Sequence, residues 1–276
     1  MPKINISRNL WAAGLWLSSL VLFYSPLANL LSLAVNDDRY SYTLLVPVIS
    51  GFLLWLKKEE IQKSARFSPA LGSPLLLAGT IIGTIPANLS IAMFGIWVFW
   101  LGIPLSCYGV KALRAIPFPA LFLLLVIPAP SSAMEQLVRM MQSASADVTA
   151  GLFRLTGISF ERDGFVFGLG KLDIEIAEEC SGIRSATAMF ISAILASHLM
   201  LQNRWSRIGF ALLSIPVVIF KNAVRITGIT WLGLNVDEGF FVGDLHKYSG
   251  MPFSVVALAL LLPALWALRR VENQTT

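Results

Sequence analysis

Apolar runs recur along the whole chain, parted by short charged clusters, and their lengths decide the class of structure. A bilayer core of about 30 Å needs about 20 apolar residues in helical form. Eight runs near that length fall at residues 10–35, 42–56, 70–87, 89–110, 114–130, 182–202, 206–224 and 250–268. The pattern predicts an all-α polytopic membrane protein with about eight transmembrane helices. The second run is short and holds Pro47, and only the Pro86 and Asn88 region divides the third from the fourth, so seven or nine spans also fit. The first run is too long, and too poor in a small-residue cleavage pattern, to read as a signal peptide.

Between the fifth and sixth runs the period changes. Met134, Leu137, Val138, Met141, Val148, Leu152 and Leu155 repeat at helical spacing, with Glu135, Arg139, Asp147 and Arg154 elsewhere on the wheel. That is the signature of an amphipathic helix lying in the membrane interface, and another packed helix fits equally well. After Gly157 the period is two: Ile158 and Phe160, then Phe165 and Phe167, then Leu172, Ile174 and Ile176 alternating with Asp173 and Glu175. Asp163-Gly164 between alternating segments predicts a β-hairpin. The chain therefore reads as one integral membrane domain, 1–276, with residues 131–179 forming an extracytoplasmic amphipathic helix and a small sheet. The last strand delivers the chain to Glu178, Glu179 and Cys180.

Composition agrees with the pattern: 56% of residues are hydrophobic and 13% charged, with a mean hydropathy of +0.71, too apolar for a soluble domain to cover with polar surface. The net charge of +5 comes from 21 basic and 16 acidic residues scattered between apolar blocks, so no nucleic-acid partner is expected. Two cysteines and two histidines leave no room for a disulfide framework or a closed zinc site, and neither a metal nor an organic cofactor is expected. Charge also orients the spans. With the N-terminus inside, the cytoplasmic segments hold 12 basic and three acidic residues, against nine basic and 13 acidic outside. That split fits eight spans with both termini in the cytoplasm of an inner-membrane protein, and Trp11, Trp55, Trp205 and Trp266 fall near its cytoplasmic boundaries.

Candidate chemistry gathers on the outer side. In Glu178-Glu179-Cys180-Ser181-Gly182-Ile183-Arg184-Ser185 the cysteine stands at the start of the sixth span. There the free N–H groups and positive dipole end of a helix favour the thiolate, which is the nucleophile. Arg184 adds positive charge one turn on, and Glu178 and Glu179 oppose it. Lys221-Asn222-Ala223-Val224-Arg225-Ile226 ends the seventh span on the same side, and His246 precedes the eighth. Each has a plain structural reading: Cys180 as a packed small residue, Asn222 as a cap, Arg225 snorkelling to headgroups, His246 incidental. Cys107, among Leu and Gly in the fourth span, and His198, near the inner end of the sixth, read as packing residues. Together a thiolate, a guanidinium and an imidazole on one face are what cysteine acyl transfer requires. An ion-coupled carrier fits less well, since the runs show no ionisable residue near a span centre.

The wording of E-x-C-S-G-I-R-S at 178–185 and N-A-V-R-I at 222–226, with a histidine before the last span, resembles the exosortase/archaeosortase family of membrane transpeptidase-like enzymes. The resemblance implies a cysteine protease and transpeptidase whose partners are secreted proteins ending in a short motif such as Pro-Glu-Pro (a PEP-CTERM-like signal), an apolar helix and a basic tail. It implies catalytic roles for Cys180, Arg225 and His246, with Glu179, Ser181, Arg184 and Asn222 supporting or binding substrate, and membrane lipid or a surface polysaccharide as candidate acceptor. The rival expectation is a non-catalytic membrane component of polysaccharide export or assembly. Reporter fusions after Arg66, Arg114, Arg207 and Arg270 should report cytoplasm, and fusions near Gly170 and Gly239 the outside. A cytoplasmic Gly170 would put Cys180 beyond the reach of secreted substrates.

Overall fold

The first apolar run folds as two helices. A computed structural model describes residues 6–63, 65–85, 88–170, 173–176, 183–237, 239 and 250–275. In it α1 (Ile6–Leu22) and α2 (Tyr24–Asn36) meet at a 72° bend. Pro26 explains the break, because its ring cannot pass the carbonyl of Leu22, four residues back, yet is tolerated in the first turn of a new helix. The chain divides into two compact units, Met1–Pro130 and Ser131–Thr276.

In the first unit a 3₁₀ turn (Asp38–Leu44) leads into α3 (Leu45–Leu56). Asp37 starts it: its carboxylate accepts the Arg39 amide N–H at 3.0 Å and takes the Arg39 guanidinium on both oxygens, at 2.9 and 2.8 Å. The Arg39 side-chain bonds hold the Asp37 carboxyl below the usual carboxylate range. After the short α4 (Lys58–Lys63), α5 (Pro69–Thr84) and α6 (Leu89–Ala115) pack antiparallel through glycines. A Cβ on Gly79 would run into the amide nitrogen of Phe99, and one on Gly95 into that of Gly83. Asn88 caps α6 by accepting from the Ile91 N–H at 2.9 Å. Near its end α6 kinks at Gly109, whose φ of +83° suits glycine. The exposed carbonyls there are taken by the incoming chain, Arg66 N to Tyr108 O and Ser68 N to Ser106 O, both 2.9 Å. The fifth run is broken too: α7 (Pro117–Phe122) passes into a 3₁₀ turn (Leu123–Val126), because Pro128 and Pro130 forbid a continuing helix.

The second unit holds α8 (Ser131–Thr156), strands β1 (Glu161–Asp163), β2 (Val166–Gly168) and β3 (Asp173–Glu175), then α9 (Ile183–Met200), α10 (Arg204–Asn235) and α11 (Gly250–Thr275). The strands form an antiparallel sheet in the order β1-β2-β3, with Asp163 opposite Val166 and Phe167 opposite Ile174. The turn at Gly164, with φ +59°, lies where the Asp-Gly signal predicts it. The sheet buries Phe167 and Ile176 against Ala146, Ala150 and Phe153 of α8. Phe153 meets Phe167 and Phe160 edge-on at 5.4 and 5.5 Å.

The buried face of α8 differs from the apolar stripe. Leu137 and Leu155 are 42% and 83% exposed, whereas Gln142, Ser145 and Thr149 are buried along with Met134, Val138, Met141 and Phe153. The helix turns this face inward where it packs against α10 and the sheet: Asn222 of α10 bonds Ser145, and Gln142 bonds the Ile176 carbonyl. The packed-helix reading fits this better than the interfacial one. The seventh run also departs from its reading as a span ending at 224. α10 continues to Asn235, and its 32 residues extend about 48 Å. Lys221, Asn222 and Arg225 therefore lie inside a helix, and Asn222 is not a cap.

At the far end of α9 the turn into α10 is tied to α11. The Glu272 carboxylate accepts the Gln202 and Asn203 N–H groups at 2.7 and 3.2 Å. The Gln202 N–H is the main cause of a Glu272 carboxyl held below its ordinary range. Arg207 donates to the Leu201 carbonyl at 2.8 Å and approaches His198 Nδ1 at 3.4 Å, so His198 is a helix-packing residue. Cys107 is likewise buried, 1% exposed.

Among the described residues four helical segments are long and apolar enough to cross a membrane: Asp38–Leu56, Leu89–Ala115, Ile183–Met200 and Arg204–Asn235. Counting the bent pairs Ser7–Leu22 with Tyr24–Asn36 and Pro117–Val126 with Ser131–Thr156 as one span each gives six. The protein is thus a mostly helical, multi-pass membrane protein. The glycine contact generates a prediction. Gly79→Ala should destabilise the detergent-solubilised protein by about 1–3 kcal/mol through overpacking, read as a lower thermal midpoint, while Gly14→Ala, which meets nothing within 4 Å, should leave the midpoint unchanged.

Candidate active site

Three helices pack together in the second unit: α9, which opens just after Cys180 in sequence, α10, which carries Lys221 to Ile226, and α11, which opens just after His246 in sequence. Glu178, Glu179, Cys180, Ser181 and His246 fall outside the described residues, whereas Ile176, Ile183 to Ser185 and Lys221 to Ile226 fall within them. α9 opens at Ile183, three residues after Cys180, with Ile183 buried, Arg184 exposed and Ser185 half-buried.

α10 supplies the facing side chains. Lys221 is 4% exposed, and its Nζ donates to Ser185 Oγ at 2.6 Å. This bond joins the first motif directly to the second. Asn222 is fully buried and donates from Nδ2 to Ser145 Oγ on α8 at 3.2 Å. Arg225, one turn beyond Lys221, is half-buried. Ile226 then packs against the cluster of α8 and the sheet. The polar groups of α10 consequently sit between α9 on one side and α8 with its sheet on the other.

The sheet contributes through the residue that follows β3. Ile176 is 1% exposed; its N–H donates to the Phe165 carbonyl at 3.0 Å, and its own carbonyl accepts from Gln142 Nε2 at 2.9 Å. The chain thus leaves the sheet at a point held by two hydrogen bonds, four residues before Cys180.

Because α9 and α10 run antiparallel about a short turn, the Lys221 to Ser185 bond fixes their register. Arg225 is four residues on from Lys221 and so stands about 6 Å along α10 from the level of Ser185, beyond Ile183, where α9 opens. A half-buried guanidinium offers a planar fork of donors suited to a carboxylate or a developing oxyanion. Of the expected site residues, the structure brings Asn222 and Arg225 into one unit with the first turn of α9, and it leaves Arg184 exposed.

Four residues of this cluster escape a reading by apolar period: Gln142, Ser145, Ser185 and Lys221. A polar stripe at 142, 145 and 149, three and four residues apart, is a visible signal that one face of α8 needs polar partners. A lysine inside an apolar run is the other, since a buried ammonium requires a hydrogen-bond acceptor.

A sequence model described as "Transmembrane exosortase (Exosortase_EpsH)" matches residues 10–263 of the chain. No curated protein and no solved structure matches it.

The buried Asn222 generates the prediction here. Asn222→Ala should cost about 1–3 kcal/mol by stranding the Ser145 hydroxyl in the interior, whereas Gln136→Ala, at an exposed position of α8, should stay within about 0.5 kcal/mol of wild type. Thermal unfolding in detergent compares the two.

Proposed function

The chain belongs to the transmembrane exosortase family, and we propose that it is a membrane cysteine protease and transpeptidase acting on secreted proteins at the extracytoplasmic face. The observation that carries this reading is the Lys221 to Ser185 bond of 2.6 Å, which joins the helix that follows Cys180 to the helix that bears Arg225. Ser185 and Lys221, 36 residues apart in sequence and next to or within the two motifs, thereby meet.

The substrate's own transmembrane tail docks among the spans and presents a short extracytoplasmic motif, Pro-Glu-Pro or a relative of it, beside Cys180. The Cys180 thiolate attacks the scissile carbonyl carbon, and the negative charge that develops on oxygen is met by Arg225. As the C–N bond breaks, His246 gives its proton to the leaving amine and a thioester remains on Cys180. An incoming amine of a lipid or surface polymer, or a water molecule, loses its proton to His246 as it attacks the thioester, and the thiolate departs. Glu179, Ser181, Arg184 and Asn222 line or support this site in the proposal. The route needs no metal and no organic cofactor. It goes with eight crossings and both termini in the cytoplasm.

Co-expression with a secreted reporter carrying a Pro-Glu-Pro motif, an apolar helix and an Arg-rich tail tests the reading by electrophoresis. Cys180→Ala and Cys180→Ser should leave the reporter uncleaved with normal membrane insertion, and Cys107→Ala should cleave it normally. Arg225→Lys keeps the charge but loses the fork of donors, and should slow acyl-enzyme formation about 10²- to 10³-fold. Near-normal turnover by both Arg225→Lys and His246→Ala would end the assignment of these two as partners of Cys180.

A further inference from the structure

Cys180 stands four residues after Ile176 and five before Ser185, and both flanking residues are held by buried side chains to which the chemistry above gives no role. On one flank Gln142 of α8, 5% exposed, donates to the Ile176 carbonyl at 2.9 Å. On the other, Lys221 of α10, 4% exposed, donates to Ser185 Oγ at 2.6 Å. The Asn222 to Ser145 bond of 3.2 Å ties α10 to α8, so both anchors stand on one frame.

An apolar side chain of similar size would fill either position without the cost of desolvating an amide or an ammonium. What Gln142 and Lys221 add is direction. Each fixes a particular atom, the Ile176 oxygen or the Ser185 hydroxyl, to a helix that does not carry it. Hydrophobic contact tolerates sliding, while a buried hydrogen bond near 2.9 Å or shorter does not.

We propose that Gln142 and Lys221 are positioning residues for the transfer reaction, holding the Ile176 carbonyl and the Ser185 hydroxyl that flank Cys180 in the sequence on the frame that also carries Arg225. The proposal rests on the reading of Cys180 as nucleophile. Because a misplacement of about 1 Å can cost about 100-fold in rate, loosening either flank acts on the chemical step and leaves docking of the substrate's transmembrane tail intact.

The experiment uses the full chain in lipid nanodiscs with the Pro-Glu-Pro reporter. Gln142→Leu, Lys221→Met and Ser185→Ala should each lower kcat about 10- to 100-fold with KM within about two-fold of wild type. Ser185→Thr, which keeps an acceptor hydroxyl for Lys221, should stay within about three-fold of wild-type kcat. In the Lys221→Met, Ser185→Ala double variant the loss should be no greater than in either single one, because both remove one bond. If Lys221→Met fails to fold, Ser185→Ala against Ser185→Thr decides the same point without removing the buried ammonium. Wild-type kcat in Gln142→Leu and Ser185→Ala would overturn the clamp, as would a lowered thermal midpoint accompanied by a raised KM and unchanged kcat. Cys180→Ala separates the two ideas: cleavage by that variant ends the nucleophile assignment, whereas an inactive Cys180→Ala beside fully active clamp variants ends only the positioning role.

Discussion

A buried ammonium is among the most expensive groups a protein interior can hold, with an effective penalty of several kcal/mol per ion unless hydrogen bonds satisfy it. Lys221 is such a group, and its bond to Ser185 sets constraints well beyond one contact. The bond fixes the register of α9 against α10, and through it the level at which Arg225 stands relative to the start of α9. Asn222, next in sequence, turns to α8 and bonds Ser145, so one helix turn of α10 addresses two neighbours at once. The polar stripe of α8 then has a purpose: the face that holds Ser145 also holds Gln142, which secures the exit of the sheet.

Around this polar seam the packing is ordinary and apolar. Phe153 makes edge-on contacts with Phe160 and Phe167 that join α8 to the sheet, and Ile226 carries α10 into the same cluster. The opposite end of the unit is closed by Glu272, whose carboxylate gathers the free N–H groups of the turn between α9 and α10. α9 is thus held near both ends, by Lys221 at Ser185 and by Glu272 at Gln202, and α10 at its start and its middle. In the first unit close backbone approach does the corresponding work, since glycines on α5 and α6 allow a separation that no Cβ would permit.

Much of this is legible in the residues. Apolar run lengths identify a membrane protein, the change of period after Gly157 identifies the sheet, and Asp163-Gly164 locates its first turn. The breaks inside the runs were less legible, although Pro26, Pro117, Pro119, Pro128 and Pro130 mark them: hydropathy averages over a window, whereas a proline acts on one carbonyl four residues away. The end of the seventh run was misplaced for the opposite reason. Polar residues after 224 lower hydropathy without breaking a helix, and nothing from Lys221 to Asn235 prevents the backbone from continuing.

Local chemistry and periodicity by themselves determined the class of fold, the hairpin and the three motifs with their residue types, because each depends on neighbours within a few positions. Only the tertiary structure decided which face of α8 is inside, which residues accept from Lys221 and Asn222, and that Gln142 and Ser185 belong to the same frame. Those outcomes depend on partners 34 to 77 positions away. A buried polar atom requires that some partner exist, yet which helix supplies it is settled only when the helices pack.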